Sequence, residues 1–454
     1  MRRVFVLPVA GMAAVVMASA PLAADAAVGS WSIVSTPDAS GSAVASYLEK
    51  VACASTTECW AAGFSNDSSF NLSTLMERWD GTSWTVVASP DPGTDNQLWN
   101  VACASASECW AVGQASSPPT QTALVARWNG TTWSQLTVPD PSSQDSLQGV
   151  TCVSTTDCWA VGFQSGNAAT LIEHWNGTAW TVTASPNSAS PTNLLQAVTC
   201  VSSTECWAVG TQTNTTLVEK WDGTAWTIVS SPNNTSAGIA FNDLFDVTCA
   251  AASDCWAVGD ATVGATGATS NLVEHWNGSA WSLVTAPDAG GGSGFSYLEG
   301  VVCQSATDCW AVGGGGTTTG ETLIEQWKGS AWAIVSSPNP ASATAGSELL
   351  GVTCDSGTCW SVGDGQSATA GDTLAEEYTA PAAAAPVSTP TPTASPTPGS
   401  TPSPTPTALP GGRISVPSAG APPGAAPAAA PLLLLAAGAG CVAAAVILRR
   451  RPER

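Results

Sequence analysis

Cysteine recurs along this chain with a period near fifty residues. The first member of each close pair falls at 53, 103, 152, 200, 249, 303 and 354, so the steps are 50, 49, 48, 49, 54 and 51 residues. The second member of most pairs opens the phrase CWAVG or a near variant. A repeat of this length describes one supersecondary unit that cannot bury its apolar face alone and must stack on copies of itself.

The third copy shows what the unit contains. LQGVTC (147–152), CWAVGF (158–163), TLIEHWN (170–176) and TAWTVTASP (178–186) are short, β-branched and Trp-rich, with turn residues between them. No segment of 27–380 keeps a helical period. Four strands in about fifty residues suit a propeller blade. Asn176-Gly177 predicts a two-residue hairpin turn with positive φ at both positions.

The tryptophans count the blades and predict how they close. Of 21, seven follow the second Cys (Trp60, Trp110, Trp159, Trp207, Trp256, Trp310, Trp360). Six end the third strand (Trp79, Trp128, Trp175, Trp221, Trp276, Trp327), with Tyr378 in the seventh slot, and six open the fourth (Trp84, Trp133, Trp180, Trp226, Trp281, Trp332). The seventh copy stops at EEYTAP and has no fourth strand. The phrase GSWSIVSTPD (29–38) matches the missing strand and carries Trp31. The expectation is an all-β, seven-bladed β-propeller over 27–380, closed by its N-terminal strand so that no sheet edge is left at the seam.

The hairpin phrases WDGTSW, WNGTAW and WNGSAW resemble the Asp-box of bacterial neuraminidase-repeat propellers, although the Asp-box has another residue between its Asp and Gly. The body is similar to secreted bacterial propellers with tandem CWAVG blades. It lacks the paired Gly of kelch blades and the His and Trp-Asp marks of WD-repeat blades. The resemblance implies a fold, not an activity.

The ends set the expected location. Residues 1–26 read as a secretory signal peptide, with MRR, an apolar stretch and the small-x-small site Ala24-Asp25-Ala26. Residues 381–427 form a Pro/Thr/Ala-rich stalk, expected to remain disordered. Residues 428–448 are uncharged and long enough for one transmembrane helix, and the basic tail 449–454 is expected in the cytoplasm. The chain is therefore expected at the cell membrane as a single-pass protein with its propeller outside. In that oxidising setting the pairs read as seven local disulfides: Cys53–Cys59, Cys103–Cys109, Cys152–Cys158, Cys200–Cys206, Cys249–Cys255, Cys303–Cys309 and Cys354–Cys359.

Charge excludes some functions. All acidic residues but Asp25 and Glu453 lie in the body, 32 against five basic ones (Lys50, Arg78, Arg127, Lys220, Lys328), a formal charge of −27. Phosphate backbones are bound through Lys and Arg, so nucleic acid is not a partner. Two body Arg cannot form the three-Arg carboxylate clamp of a sialidase. Both occupy the slot before the third-strand Trp, as do His174, Lys220, His275, Gln326 and Glu377, and that polar, variable slot reads as a solvated outer position. A recurring carboxylate (Glu77, Glu173, Glu219, Glu274, Glu325, Glu376, with Ala126 in the second copy) reads as structural, accepting from backbone or indole N–H. No cofactor is expected; calcium is compatible with the charge but has no supporting motif.

Connections after the first and third strands are uniform and should share one face of the disc. Those after the second and fourth vary, from TQTNTT to DATVGATGATSN. Variable loops on a rigid scaffold are a common binding arrangement. Four residues before each first Cys, near those loops and the central channel, stand Glu49, Trp99, Gln148, Gln196, Phe245, Glu299 and Leu350. Trp99 and Phe245 are the leading ligand-contact candidates, with Glu49, Gln148, Gln196 and Glu299 beside them. The expected function is binding of an extracellular glycan, protein or wall component by a monomeric, tethered propeller. The alternatives are a polysaccharide-acting enzyme using acidic residues at the channel mouth, or a passive surface domain.

Overall fold

The computed structural model describes residues 29–39, 43–290, 294–317, 319–366 and 371–380. The expected signal segment, stalk, membrane span and tail lie outside these residues. Among the described residues no helix is long and apolar enough to cross a membrane.

The described strands form seven four-stranded antiparallel sheets. Blade 1 runs through Ala43–Ser55, Glu58–Asp67, Leu72–Trp79 and Trp84–Val87, from the channel outward. The inner strands of blades 2 to 7 are Asp95–Ser105, Ser146–Ser154, Leu194–Ser202, Ile239–Ala251, Phe295–Ser305 and Gly346–Asp355. Each inner strand packs against the next around the ring, and blade 7 packs against blade 1, so the ring is closed. The chain is a seven-bladed β-propeller.

The seventh blade takes its outer strand from the N-terminus. Ser30–Val34 pairs with Gly371–Thr379, with Trp31 opposite Tyr378 and Val34 opposite Ala375. A Pro-Asp or Pro-Asn pair locks each blade: the Asp or Asn side-chain oxygen accepts an N–H near the start of the third strand. Asp91 does so for Thr74, Asn187 for Thr170, and Asp38 for Thr373 at 3.0 Å. The closing strand is thus held as the covalently continuous ones are.

Each core is a wedge between two blades, and the alternation of CWAVG fills both sides. In blade 2, Cys109 and Ala111 pack toward blade 1 while Trp110 and Val112 pack toward blade 3. The Trp after the second Cys meets two aromatic rings of the following blade. Trp60 lies 4.6 Å from Trp128 and 5.1 Å, edge-on, from Trp133. At the seam Trp310 meets Tyr378 at 4.7 Å and Trp31 at 5.3 Å, and Trp31 is buried.

The paired cysteines face each other across the first hairpin of every blade and are bonded in all seven. The third-to-fourth connection corrects the expectation. Trp175 pairs with Trp180, so the loop has four residues, and Gly177 has φ 88° whereas Asn176 does not take a positive φ. Asn176 Oδ1 instead accepts from Thr178 N (3.0 Å), Thr178 Oγ1 (2.6 Å) and Ala179 N (3.1 Å). A longer loop needs its Asn as an acceptor more than as a left-handed residue.

Candidate functional site at the channel mouth

The glycine of CWAVG shapes the channel. A Cβ on Gly63 would lie 1.9 Å from the Tyr47 carbonyl oxygen, and one on Gly259 the same distance from that of Asp243. The inner strand presses onto the second strand there and bulges immediately afterwards. The register skips one residue between Leu48 and Lys50, and between the equivalent positions of all seven blades. The extra residues are Glu49, Trp99, Gln148, Gln196, Phe245, Glu299 and Leu350. Every ligand-contact candidate named from the sequence therefore occupies one kind of site, a β-bulge at the inner edge of its blade, where a bulge re-aims a side chain.

Around the ring these residues sort into arcs. Trp99 of blade 2 and Phe245 of blade 5 separate an amide arc, Gln148 and Gln196, from an arc holding Glu299, Leu350 and Glu49. Glu49 and Glu299 are buried, while Trp99, Phe245 and both Gln are half-buried.

The next residue on each inner strand forms the channel floor. Gly149, Ala197, Gly300 and Gly351 keep it narrow; a Cβ on Gly351 would lie 2.7 Å from Lys50 Cα. Lys50 spans the channel from blade 1, placing Nζ 3.0 Å from Asp246 Oδ2 of blade 5 and 2.6 Å from the Glu299 carbonyl oxygen of blade 6. Asp246 Oδ2 also accepts Val301 N at 3.1 Å. Both side chains of this bridge are largely shielded from solvent.

Around Trp99 and Gln148, side chains that the sequence did not single out complete the wall. On one side Tyr47, Phe64 and Trp99 make a ladder with ring separations of 5.1 and 5.7 Å. Gln114 donates to Gln97 at 2.8 Å beside it, and Gln148 donates to Ser146 at 2.8 Å. On the other side Asp243 and Asp260 are directly opposed across two strands of blade 5. Thr211 donates to Asp243 at 2.5 Å, and Thr262 to Asp260 at 2.8 Å. Burial, then the charges of Asp243 and Glu299, push the Asp260 carboxyl up to about 7 against the Thr262 bond, and burial also raises Asp243. Tyr297 donates to Glu348 at 2.5 Å, and burial with nearby Glu348, Glu299 and Asp364 holds its phenol well above the usual range. Among the described residues no three His, Cys, Asp or Glu side chains converge as a metal site. Two open clefts lie away from the mouth: one between Gly93 and Gln135, the other at the closing strand between Ile33 and Pro340.

The recurring glutamates lie elsewhere, fully buried between blades. Their partners differ from the backbone and indole donors expected: the donor is a side chain of the preceding blade. The Ser231 hydroxyl lies between both oxygens of Glu274 (2.8 and 2.7 Å) and shares its one proton with them, and Ser185 and Ser337 serve Glu219 and Glu376 likewise. Where the serine position holds Ala286, Asn271 donates to Glu325 at 2.7 Å instead. Where it holds Val138, Glu173 has no hydrogen-bond partner among the described residues. Burial is the leading cause that pushes all six carboxyls up to about 8.

The slot before the third-strand Trp is also corrected. It is half-buried on the opposite face, where its residue lies over tryptophan and pairs with the acid preceding the second Cys. Arg78 sits 5.6 Å from the Trp60 centroid and 3.1 Å from Glu58. Lys220 lies 4.7 Å from Trp207 and 2.8 Å from Glu205. His174 and His275 stack at 4.2 Å on Trp159 and Trp256 and reach Asp157 and Asp254 at 2.8 Å. In blade 7 the slot holds Glu377, and the acid is replaced by Thr358. These side chains complete the scaffold and stand away from the mouth.

The fold places the chain among β-propellers, and the comparisons go no further. No family model matches it, and no curated protein matches it. Solved structures similar to it include YCF48 from Cyanidioschyzon merolae, with 14% identity and a TM-score of 0.49, covering 77% of this chain and 98% of that one. A GH74 xyloglucanase from Xanthomonas campestris has 12% identity and a TM-score of 0.48, covering 76% of this chain and 55% of that one. The six-bladed Aleuria aurantia lectin has 13% identity and a TM-score of 0.39, covering 64% of this chain and 97% of that one. The assignment of seven blades rests on strand pairing and ring closure.

Proposed function

We propose that this is a binding propeller of the secreted, Asp-box-like kind, held at the cell surface through 428–448 and recognising an extracellular glycan, protein or wall component at the channel mouth. One observation carries the reading: the scaffold repeats almost identically, yet the seven bulged side chains it presents around the mouth are of five kinds, two Glu, two Gln, Trp, Phe and Leu. A glycan and protein array probed with the purified chain tests it. Saturable binding to one class is expected, weakened at least about tenfold by Trp99→Ala, which corresponds to ~1.4 kcal/mol. Trp159→Ala should leave the mouth alone and cost roughly 3–5 kcal/mol of stability, as expected for a core aromatic. Wild-type affinity in a folded Trp99→Ala protein would remove the mouth from consideration.

The opposed Asp243–Asp260 pair supports a second reading, since a pair of carboxyls is the usual equipment of a polysaccharide hydrolase. Product release from a polysaccharide panel, abolished by Asp260→Asn, would favour it. No turnover across the panel would discard it.

A further inference from the structure

We propose that the cleft between blades 1 and 2, away from the channel mouth, binds one neutral sugar residue of a glycan. The site is separate from the mouth and does not depend on the reading of it. It opens where the chain passes from blade 1 to blade 2. Pro92 and Gly93 form one wall; the second and third strands of blade 2, Glu108–Ser117 and Thr120–Trp128, form the other through Ala115, Ser117, Thr120 and Thr122. Its volume is about 220 Å³. Sites for drug-sized ligands run from roughly 300 to 1,000 Å³, so this one has room for a single ring.

Comparing the blades shows why a cleft opens here. The position of Ala115, two residues after the CWAVG glycine, holds Gln164 in blade 3 and Gln212 in blade 4. Those side chains reach across to third-strand carbonyls: Gln164 Nε2 donates to Thr170 O at 3.0 Å, and Gln212 Nε2 to Thr216 O at 3.1 Å. Ala115 has no such arm. The same position is Gly365 in blade 7, and the second open cleft lies against it. Asp38 and Asp372 line that one, whereas no charged side chain lines the cleft of blade 2.

The chain departs from its own repeat at this place. In six blades the buried glutamate stands in register with an exposed Val, Ile or Leu of the outer strand, as Glu173 does with Val182. In blade 2 both members change together: Ala126 stands opposite Gln135, and Gln135 lines the cleft. Its amide is exposed and makes no hydrogen bond among the described residues.

The lining selects the ligand. Thr120 Oγ1 donates to Ser117 O at 3.0 Å and Thr122 Oγ1 to Ala115 O at 3.3 Å, so both hydroxyls have used their protons and offer lone pairs. Gln135 brings two donors and an acceptor, and the Ser117 hydroxyl brings one donor and two lone pairs. Pro92 and Ala115 add apolar surface for the C–H face of a ring. A polyol ring, whose hydroxyls both give and accept, matches this set. A cation finds no carboxylate in the lining, and a body of charge −27 repels phosphates and uronic acids.

The test is saturation-transfer NMR and calorimetric titration of the purified full chain with the methyl glycosides of glucose, galactose, mannose and fucose, with glucuronic acid as the charged control. At least one neutral glycoside should bind saturably, and glucuronic acid at least tenfold more weakly. Ala115→Gln, which copies blades 3 and 4, should weaken the sugar at least tenfold. Gln135→Val, which copies blades 1 and 3, should weaken it at least threefold. Both should keep the wild-type melting temperature, because other blades already carry those residues. Asp80→Asn, in an exposed turn of the other face, should change nothing. Absence of binding by every neutral glycoside overturns the proposal, as does affinity that survives Ala115→Gln or a preference for glucuronic acid. Should Ala115→Gln fail to fold, Gln135→Val decides alone. Binding lost in Trp99→Ala but retained in both cleft variants would put the sugar at the mouth, ending this proposal and leaving the reading of the mouth in place.

Discussion

The glutamates between the blades show how one residue type is tuned by neighbours from another copy of the repeat. A carboxyl has an ordinary value of 4.5 and is held near 8 here because its charged form would be buried between sheets. Between those values the folded chain keeps protons that the unfolded chain releases. Stability from these groups is therefore fully present below about pH 4.5 and declines as the pH rises toward 8. Thermal melts should show a falling melting temperature from pH 5.5 to 8.5, and Glu274→Gln should flatten the slope. A melting temperature constant over that range would contradict protonated glutamates. Ser231→Ala should cost about 1–3 kcal/mol, because Glu274 then loses its hydroxyl partner, measured by denaturant unfolding at pH 6. The chain already tolerates that condition at Glu173, opposite Val138.

Among the elements, repetition decided what could be read beforehand. Strand order, the seven disulfides, the uniform turn face and the N-terminal closing strand all follow from aligning the copies, since each has six other witnesses in the same sequence. The bulge was legible only as a column of unlike residues; its cause, the glycine of CWAVG one strand away, was not, because glycine recurs for several reasons. The Glu–Ser pairs were hidden because donor and acceptor belong to different copies. Lys50–Asp246 and the Asp243–Asp260 pair were invisible because they break the pattern at single blades. Two outcomes belong at this scale. Deleting 28–37 should lower the melting temperature of the whole body, since blade 7 loses its outer strand Ser30–Val34 and Trp31; unchanged melting would refute the closure. Peptide mapping without reduction should recover seven bridges, each within its own repeat, and a bridge joining two repeats would contradict the hairpin register.

At the scale of the whole molecule, sameness and difference are divided between the two faces. One is built from hairpins stapled by cysteine and covered by cation–tryptophan–carboxylate clamps; the other carries the variable loops and the channel mouth. Lys50 holds three blades across the centre, so Lys50→Met should loosen the ring and expose the floor. Replacing one partner of a shielded pair typically costs 3–5 kcal/mol, and urea unfolding would measure it. Closure at blade 7 has a further consequence in time. Ser30–Val34 is the first strand of the body to leave the ribosome, and its only partner, Gly371–Thr379, is the last. Roughly 340 residues must be made before the two meet, so Trp31, among the earliest aromatic side chains to be synthesised, is the last to find shelter. Until then blade 6 lacks its neighbour and the nascent array is an open stack with two raw ends. Completion of this protein is a single late event, and any factor that guards the chain during synthesis has to guard its beginning longest.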